Sequence, residues 1–191
     1  MGREYASIFV RADAMSGEAL RSAWEMANPL KPLAMPDPVS FMEKLGLGAD
    51  VDEKQAGVLR AMVSKFQEVA ARGASVAERG KALVLNDMRL SFETVENAAL
   101  ALSAQIEPPV LFTAVYDEDV YLFGVCKAGA LLGKQADGDG LHAYDLQGQS
   151  ISGEALAAFL GDEAAADCAG KHGQAMEAAL NAALGHALAK P

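Results

Sequence analysis

The sequence predicts an α+β fold: a mixed or antiparallel sheet carrying a C-terminal β-meander, with helices packed on it and an alanine-rich helical tail. Three observations carry this. The stretch Val110–Ala136 holds two apolar β-like runs and a weaker third, separated by Asp117-Glu118-Asp119 and by Lys127-Ala128-Gly129. Helical apolar spacing recurs before and after it, and a first strand-like alternation opens the chain. Runs of helix between early strands, followed by hairpin-linked strands, indicate an α+β arrangement.

The meander follows from side-chain alternation. Val110, Phe112, Ala114 and Tyr116 fall on one face of an extended strand, and Leu111, Thr113 and Val115 on the other. Both faces are mostly apolar, as in a strand covered on both sides. Val120–Cys126 is again rich in β-branched and aromatic residues. The three acidic residues between these runs suit a short hairpin loop. Gly129 can supply the positive φ of a second turn, after which Ala130–Gln135 returns as a more exposed strand. Phe112, Val115, Leu122 and Val125 are expected in the core.

At the start, Glu4–Arg11 alternates Tyr5, Ser7 and Phe9 against Ala6, Ile8 and Val10, and reads as a strand. Ser16 is an N-cap candidate for a helix to about Ala27, with Glu18 in its first turn and Leu20, Ala23 and Trp24 at helical spacing. Asn28–Pro38 contains four of the seven prolines and is read as an irregular loop. Phe41, Met42 and Leu45, closed by Gly46, indicate a short helix. Asp50 to Glu53 resembles a capping box, opening a helix to Arg72 that buries Val58, Met62 and Phe66. Ala82–Leu85 is a strand-type run. Ser91 and Glu93 open a helix with Val95, Ala98, Ala99 and Leu102 along one face, stopped before Pro108-Pro109. After a loop at Ala136–Gly140, Leu141–Leu146 reads as extended, with a turn at Gln147-Gly148.

The tail changes character. Ser152 caps a helix closed by Gly161, a short helical piece follows at Glu163–Cys168, and a last helix spans Gln174–Ala189. Its stripe of Met176, Leu180, Leu184 and Leu188 is narrow, because alanine favours helix but buries little area. The domain reading is an α+β domain over residues 1–150, with residues 151–191 as a helical extension packed on it. The stripe is assigned to that packing first and to a homodimer seam second.

Composition bounds the function. The formal charge of −10 argues against nucleic acid and anionic membrane as partners, since both are bound through dense lysine and arginine. The N-terminus lacks a signal-peptide pattern, and no apolar run is long enough to cross a bilayer. With only two cysteines, Cys126 and Cys168, free thiols in a cytoplasmic protein are the simplest expectation.

Candidate chemistry is sparse. Asp117, Glu118 and Asp119 could offer oxygen ligands to a divalent ion, although a polar hairpin tip is the ordinary alternative. Asp137-Gly138-Asp139-Gly140 resembles the start of a calcium loop and departs from it at Leu141 and His142. Cys168 and His172 are four residues apart, as paired metal ligands on one helix can be, but Gly170 lies between them. A constellation of His142 with Asp145 and Cys126 is formally open. Nucleotide, zinc-protease and serine-nucleophile motifs are absent from the sequence. No cofactor is expected.

Tyr5–Arg11, the helix at Ser16–Ala27, and Glu93–Leu102 leading into VLFTAVYDEDVYLFGV and a glycine-containing turn together resemble a group of uncharacterised bacterial cytosolic α+β proteins. The resemblance implies an α+β fold and a bacterial, cytosolic origin, and it carries no activity or functional residue.

Two functions follow as expectations. The first is a non-enzymatic binding or regulatory protein that engages a protein partner through its acidic surface or helical tail. The second is a small metal-assisted hydrolase using Asp117 or Asp119 with His142, where a bound ion would lower the pKa of a water. That second reading requires the Asp137–Tyr144 loop to fold back beside the acidic turn.

Overall fold

The computed structural model describes residues 5–27, 29–30, 57–58, 61, 73–117, 119–185 and 188. Two compact units are present, one formed by residues 1–30 and 74–191 and the other by residues 31–73. In the second unit, Gly57, Val58 and Ala61 are helical. Val58 is exposed there, against the expectation of burial. At about 100° per residue it sits at the edge of the arc that Leu59, Met62 and Phe66 define in the sequence. Of the expected loop at Asn28–Pro38 only Pro29 and Leu30 are described, and the short helix around Phe41, the capping box at Asp50, and Met62 and Phe66 lie outside the described residues.

The first unit is built on strands β1 (Tyr5–Arg11), β2 (Ser75–Arg79), β3 (Ala82–Asn86), β4 (Val110–Tyr116), β5 (Val120–Lys127) and β6 (Ala130–Asp137). They form one six-stranded sheet in the order β2-β3-β1-β4-β5-β6. Every pairing is antiparallel, which makes the sheet antiparallel rather than mixed. The meander is β4-β5-β6, with Tyr116 opposite Val120 across the acidic turn and Lys127 opposite Ala130 across the second. On β6, Leu132 is the extra residue of a bulge between the pairs Val125–Gly133 and Cys126–Leu131.

Helices α1 (Gly17–Ala27) and α2 (Val95–Ser103) cover one face, and α3 (Gly153–Leu160), α4 (Asp162–Cys168) and α5 (Gly173–Ala183) cover the other. The alternation along the strands sorts the core. Ile8, Val10, Leu85, Phe112 and Leu122 pack with Leu20, Trp24, Val95 and Leu102. Phe9, Val84, Leu111, Val115, Phe123 and Val125 pack with Leu156, Phe159, Met176 and Leu180. Ser16 caps α1 and Ser152 caps α3, each accepting a bond from the amide three residues on, at 3.2 Å.

Three segments differ from the sequence expectation. Ser75–Arg79 is a strand that the apolar pattern hides, because it lies at the sheet edge and half of its side chains face outward. Leu141–Tyr144 is a 3₁₀ helix rather than an extended run. Its period of three places Leu141 and Tyr144 on the same side, where Leu141 packs on the core and Tyr144 on two aromatic rings. The last helix starts at Gly173 and ends at Ala183, short of Ala189. There the Leu184 carbonyl accepts a 2.9 Å bond from the Lys81 amide in the β2–β3 turn, so the end of α5 is tied to the sheet.

Gly124 shows how closely the core is fitted. It pairs with Phe112 across β4 and β5, and a Cβ placed on it would stand 2.2 Å from the Phe112 ring. Overpacking of this kind costs about 2 kcal/mol. Gly124→Ala is therefore expected to lower the melting temperature by roughly 4–8 °C. Gly153→Ala, at an open position opening α3, is expected to be neutral or slightly stabilising. Equal melting temperatures for Gly124→Ala and the parent protein in calorimetry would contradict this packing.

Candidate functional site

Asp117 and Asp119 are exposed at the β4–β5 turn, with Asp117 at φ 51°. The Asp119 amide donates to the Tyr116 carbonyl at 3.1 Å, which closes the turn. Glu118 lies outside the described residues. The loop after β6 does arrive at this turn. Gly140 donates its amide to the Asp119 carbonyl at 3.4 Å, and a Cβ on Gly138 would fall 1.8 Å from that same oxygen. His142 follows on the exposed side of the 3₁₀ helix. Among the described residues, no three His, Cys, Asp or Glu side chains converge into a group able to hold a metal ion.

Cys168 and His172 do not share a helix. Cys168 is buried at the end of α4, whereas His172 precedes α5 and has its Nδ1 3.6 Å from an Asp137 oxygen. Asp137 instead accepts a 2.7 Å bond from the Gly173 amide, and Gln135 donates to the Lys171 carbonyl at 2.9 Å. This group fastens α5 to β6. Cys126 is buried in the core, where burial, reinforced by the charge of Glu96, pushes its thiol up to about 12. A thiol at that value stays protonated at neutral pH and is a poor nucleophile.

The concave feature that gathers distinctive side chains lies elsewhere, at the end of the sheet where β1 begins and β4 ends. A cavity of about 370 Å³ opens there. Tyr5 and Ala6 line it from β1, and Val115 and Tyr116 from β4. The segment between β3 and α2 adds Leu90, Ser91, Phe92 and Glu93, and the 3₁₀ helix adds Tyr144. Two of the chain's four tyrosines, Tyr116 and Tyr144, bring their rings together here with Phe92, while Tyr5 lines the strand end and turns its hydroxyl to Glu177 on the other face of the sheet. The Tyr144 ring sits 5.3 Å from Phe92 at 51° and 5.1 Å from Tyr116 at 68°, near the edge-to-face geometry that aromatic quadrupoles favour. A larger concavity along α1, about 530 Å³, is lined by surface side chains such as Glu18, Arg21 and Glu25, and gathers no aromatic residue.

The cavity wall is held from behind by a charged network. Asp87, 6 % exposed, follows β3 and accepts from the Trp24 indole at 3.2 Å. Arg89 folds back on it through Nε at 2.8 Å and Nη2 at 2.6 Å, and its amide donates to the same carboxylate at 2.9 Å. One further guanidinium nitrogen reaches the Leu30 carbonyl at 3.4 Å. Thr94 then ties Ser91 and the Arg89 carbonyl together, at 2.9 and 3.1 Å, before α2 begins. The Leu90–Glu93 wall is thus fixed at both ends. Glu93 itself is exposed, and its carboxylate has no hydrogen-bond or ion-pair partner among the described residues.

Sequence reasoning missed the cavity residues Phe92, Glu93 and Tyr144 as a group. Their elements are far apart in the chain and share no motif. The available signal was the scarcity of aromatic residues, which makes a cluster of three informative only after folding. No family model, no curated protein and no solved structure matches this chain.

Burial pushes the Asp87 carboxyl up, but the hydrogen bonds and charge of Arg89, with the Trp24 bond, outweigh it and hold Asp87 below the ordinary carboxylate value. A group depressed in the folded state adds stability above its unfolded value, and that stability is lost as pH falls through the folded one. Asp87→Asn is therefore expected to cost about 2 kcal/mol at neutral pH. It should also flatten the decline in stability on acidification below the ordinary carboxylate range. Denaturant melts of both proteins from neutral to acid pH measure this, and parallel acid limbs would contradict the assignment.

Proposed function

We propose that this chain is a non-enzymatic binding or regulatory protein that engages a protein partner, with the aromatic cavity at the sheet end receiving an anchoring side chain. The observation that carries the reading is the gathering of the Phe92, Tyr116 and Tyr144 rings around one open concavity. Aromatic pockets with a few polar groups at the rim are where binding energy concentrates in interfaces. The formal charge of −10 supports a basic partner, drawn in by long-range attraction. Among the described residues no helix is long and apolar enough to cross a membrane. A cytoplasmic location and bacterial origin belong to the same proposal, as does a homodimer formed through the C-terminal helix as an alternative partner.

The experiment is capture from cell extract at low and moderate salt, with the parent protein and the Phe92→Ala/Tyr144→Ala variant side by side. A partner retained by the parent and recovered at least about tenfold less by the variant is the expected outcome. Equal recovery, or turnover of a metabolite by the pure protein, would overturn the reading.

A second reading, metal-assisted hydrolysis at Asp117, Asp119 and His142, has one observation in its favour, although these three side chains do not converge into a metal-holding group. The Gly138–Gly140 loop seats directly on the Asp119 backbone, as that reading requires. Calorimetric titration with Mg²⁺, Mn²⁺ and Zn²⁺ separates the two. The binding reading expects no saturable heat from these side chains, and heat abolished by Asp119→Asn would favour the hydrolase.

A further inference from the structure

We infer that the group admitted to the aromatic cavity is an arginine guanidinium presented by a basic segment of the partner. The inference rests on the binding reading above and goes beyond it to the chemistry of the recognised side chain. Three ring systems, those of Phe92, Tyr116 and Tyr144, border the cavity, and the face of each carries the negative lobe of its quadrupole. A carboxylate, Glu93, lies at the same wall with no cation beside it among the described residues. Negative potential from the rings and the carboxylate accumulates in one concavity of an acidic protein. The complement that lowers the energy of this arrangement is a positive charge with flat faces.

Guanidinium fits better than ammonium on two physical counts. It is planar and weakly hydrated, so its transfer into an aromatic concavity costs less desolvation. Its donor fork can meet the Glu93 carboxylate with two parallel bonds while its face lies on a ring. Phe92 and Tyr144 are tilted relative to one another rather than stacked, so neither ring covers the whole face of the other. Glu93 sits immediately after Phe92 in a segment whose backbone is fixed by Thr94, so the two side chains project from a set stretch of chain.

The test uses a short peptide, acetyl-Gly-Arg-Gly-amide, and its citrulline counterpart, which keeps the shape and removes the charge. Both are titrated into the full chain while the ring resonances of Phe92, Tyr116 and Tyr144 are followed by NMR. The arginine peptide is expected to shift these resonances saturably, with its own side-chain methylene protons moved upfield by the ring currents. The citrulline peptide is expected to bind about tenfold more weakly. Glu93→Gln should weaken the arginine peptide several-fold and leave the citrulline peptide unchanged. Because Glu93 is exposed and unpartnered among the described residues, that variant keeps the fold, and the Trp24 fluorescence checks it. Equal affinity for the two peptides overturns the charge-based inference and leaves the cavity as an anchor site for a neutral group. Shifts that map away from the cavity, or no saturable shift from the arginine peptide, also overturn it, while partner capture decides the binding reading independently.

Discussion

Burial of both faces of the central strands is the constraint on which the remaining structure depends. Every residue from Val110 to Val115 and from Val120 to Cys126 is buried, as are Ile8, Phe9 and Val10 in β1. A sheet of this composition exposes large apolar side chains on either side if one cover is missing, at about 1.5–3 kcal/mol for each. The helices α1 and α2 satisfy one face. The alanine-rich tail satisfies the other, and its poverty in large residues is compensated by the sheet, which supplies Phe9, Leu111, Phe123 and Val125 to the shared layer. The tail is therefore part of the core in the physical sense, whatever its low complexity suggests.

Apolar contact is non-directional, so it holds a helix against a sheet without fixing where along the sheet it lies. Polar bonds at the layer boundaries supply that position. Asp137 receives the first amide of α5, and the Tyr5 hydroxyl donates to the buried Glu177 carboxylate at 2.7 Å further along the helix. The Lys81–Leu184 bond then fastens its far end to the β2–β3 turn. On the opposite face, Asp87 performs the same task for α1 and for the segment entering α2. Each of these groups links elements distant in sequence, and together they convert a stacked set of layers into one with a defined register.

The sequence made the layers legible and left the links invisible. Alternation in β1 and β4 revealed two buried faces, and Ser16 and Ser152 marked helix starts because capping is a local event. The edge strand at Ser75–Arg79 escaped because an edge strand shows a weaker apolar pattern than a central one. The 3₁₀ helix at Leu141–Tyr144 escaped for a different reason. A four-residue run cannot separate period two from period three, and the deciding contacts, Tyr144 with Phe92 and Tyr116, come from chain segments about fifty and thirty residues earlier. The acidic turn and His142 were visible as residues, and their loop contact was anticipated, but convergence of ligands is a property of the fold that spacing does not encode.

The cavity follows from the same geometry. At the Tyr5 end the covering helix α2 begins only at Val95, and among the described residues irregular segments close the gap at the strand ends. A gap closed purely for stability would draw aliphatic residues into full burial. Here Phe92, Tyr116 and Tyr144 stay only partly buried, and a carboxylate stands among them without a partner among the described residues. Half-exposed aromatic rings retain much of the unfavourable hydration that full burial would remove, and an adjacent unpaired anion adds no stability to the fold. The proposed binding role would account for both features at once, since free energy left unrealised in the isolated chain would become available on entry of a flat cation.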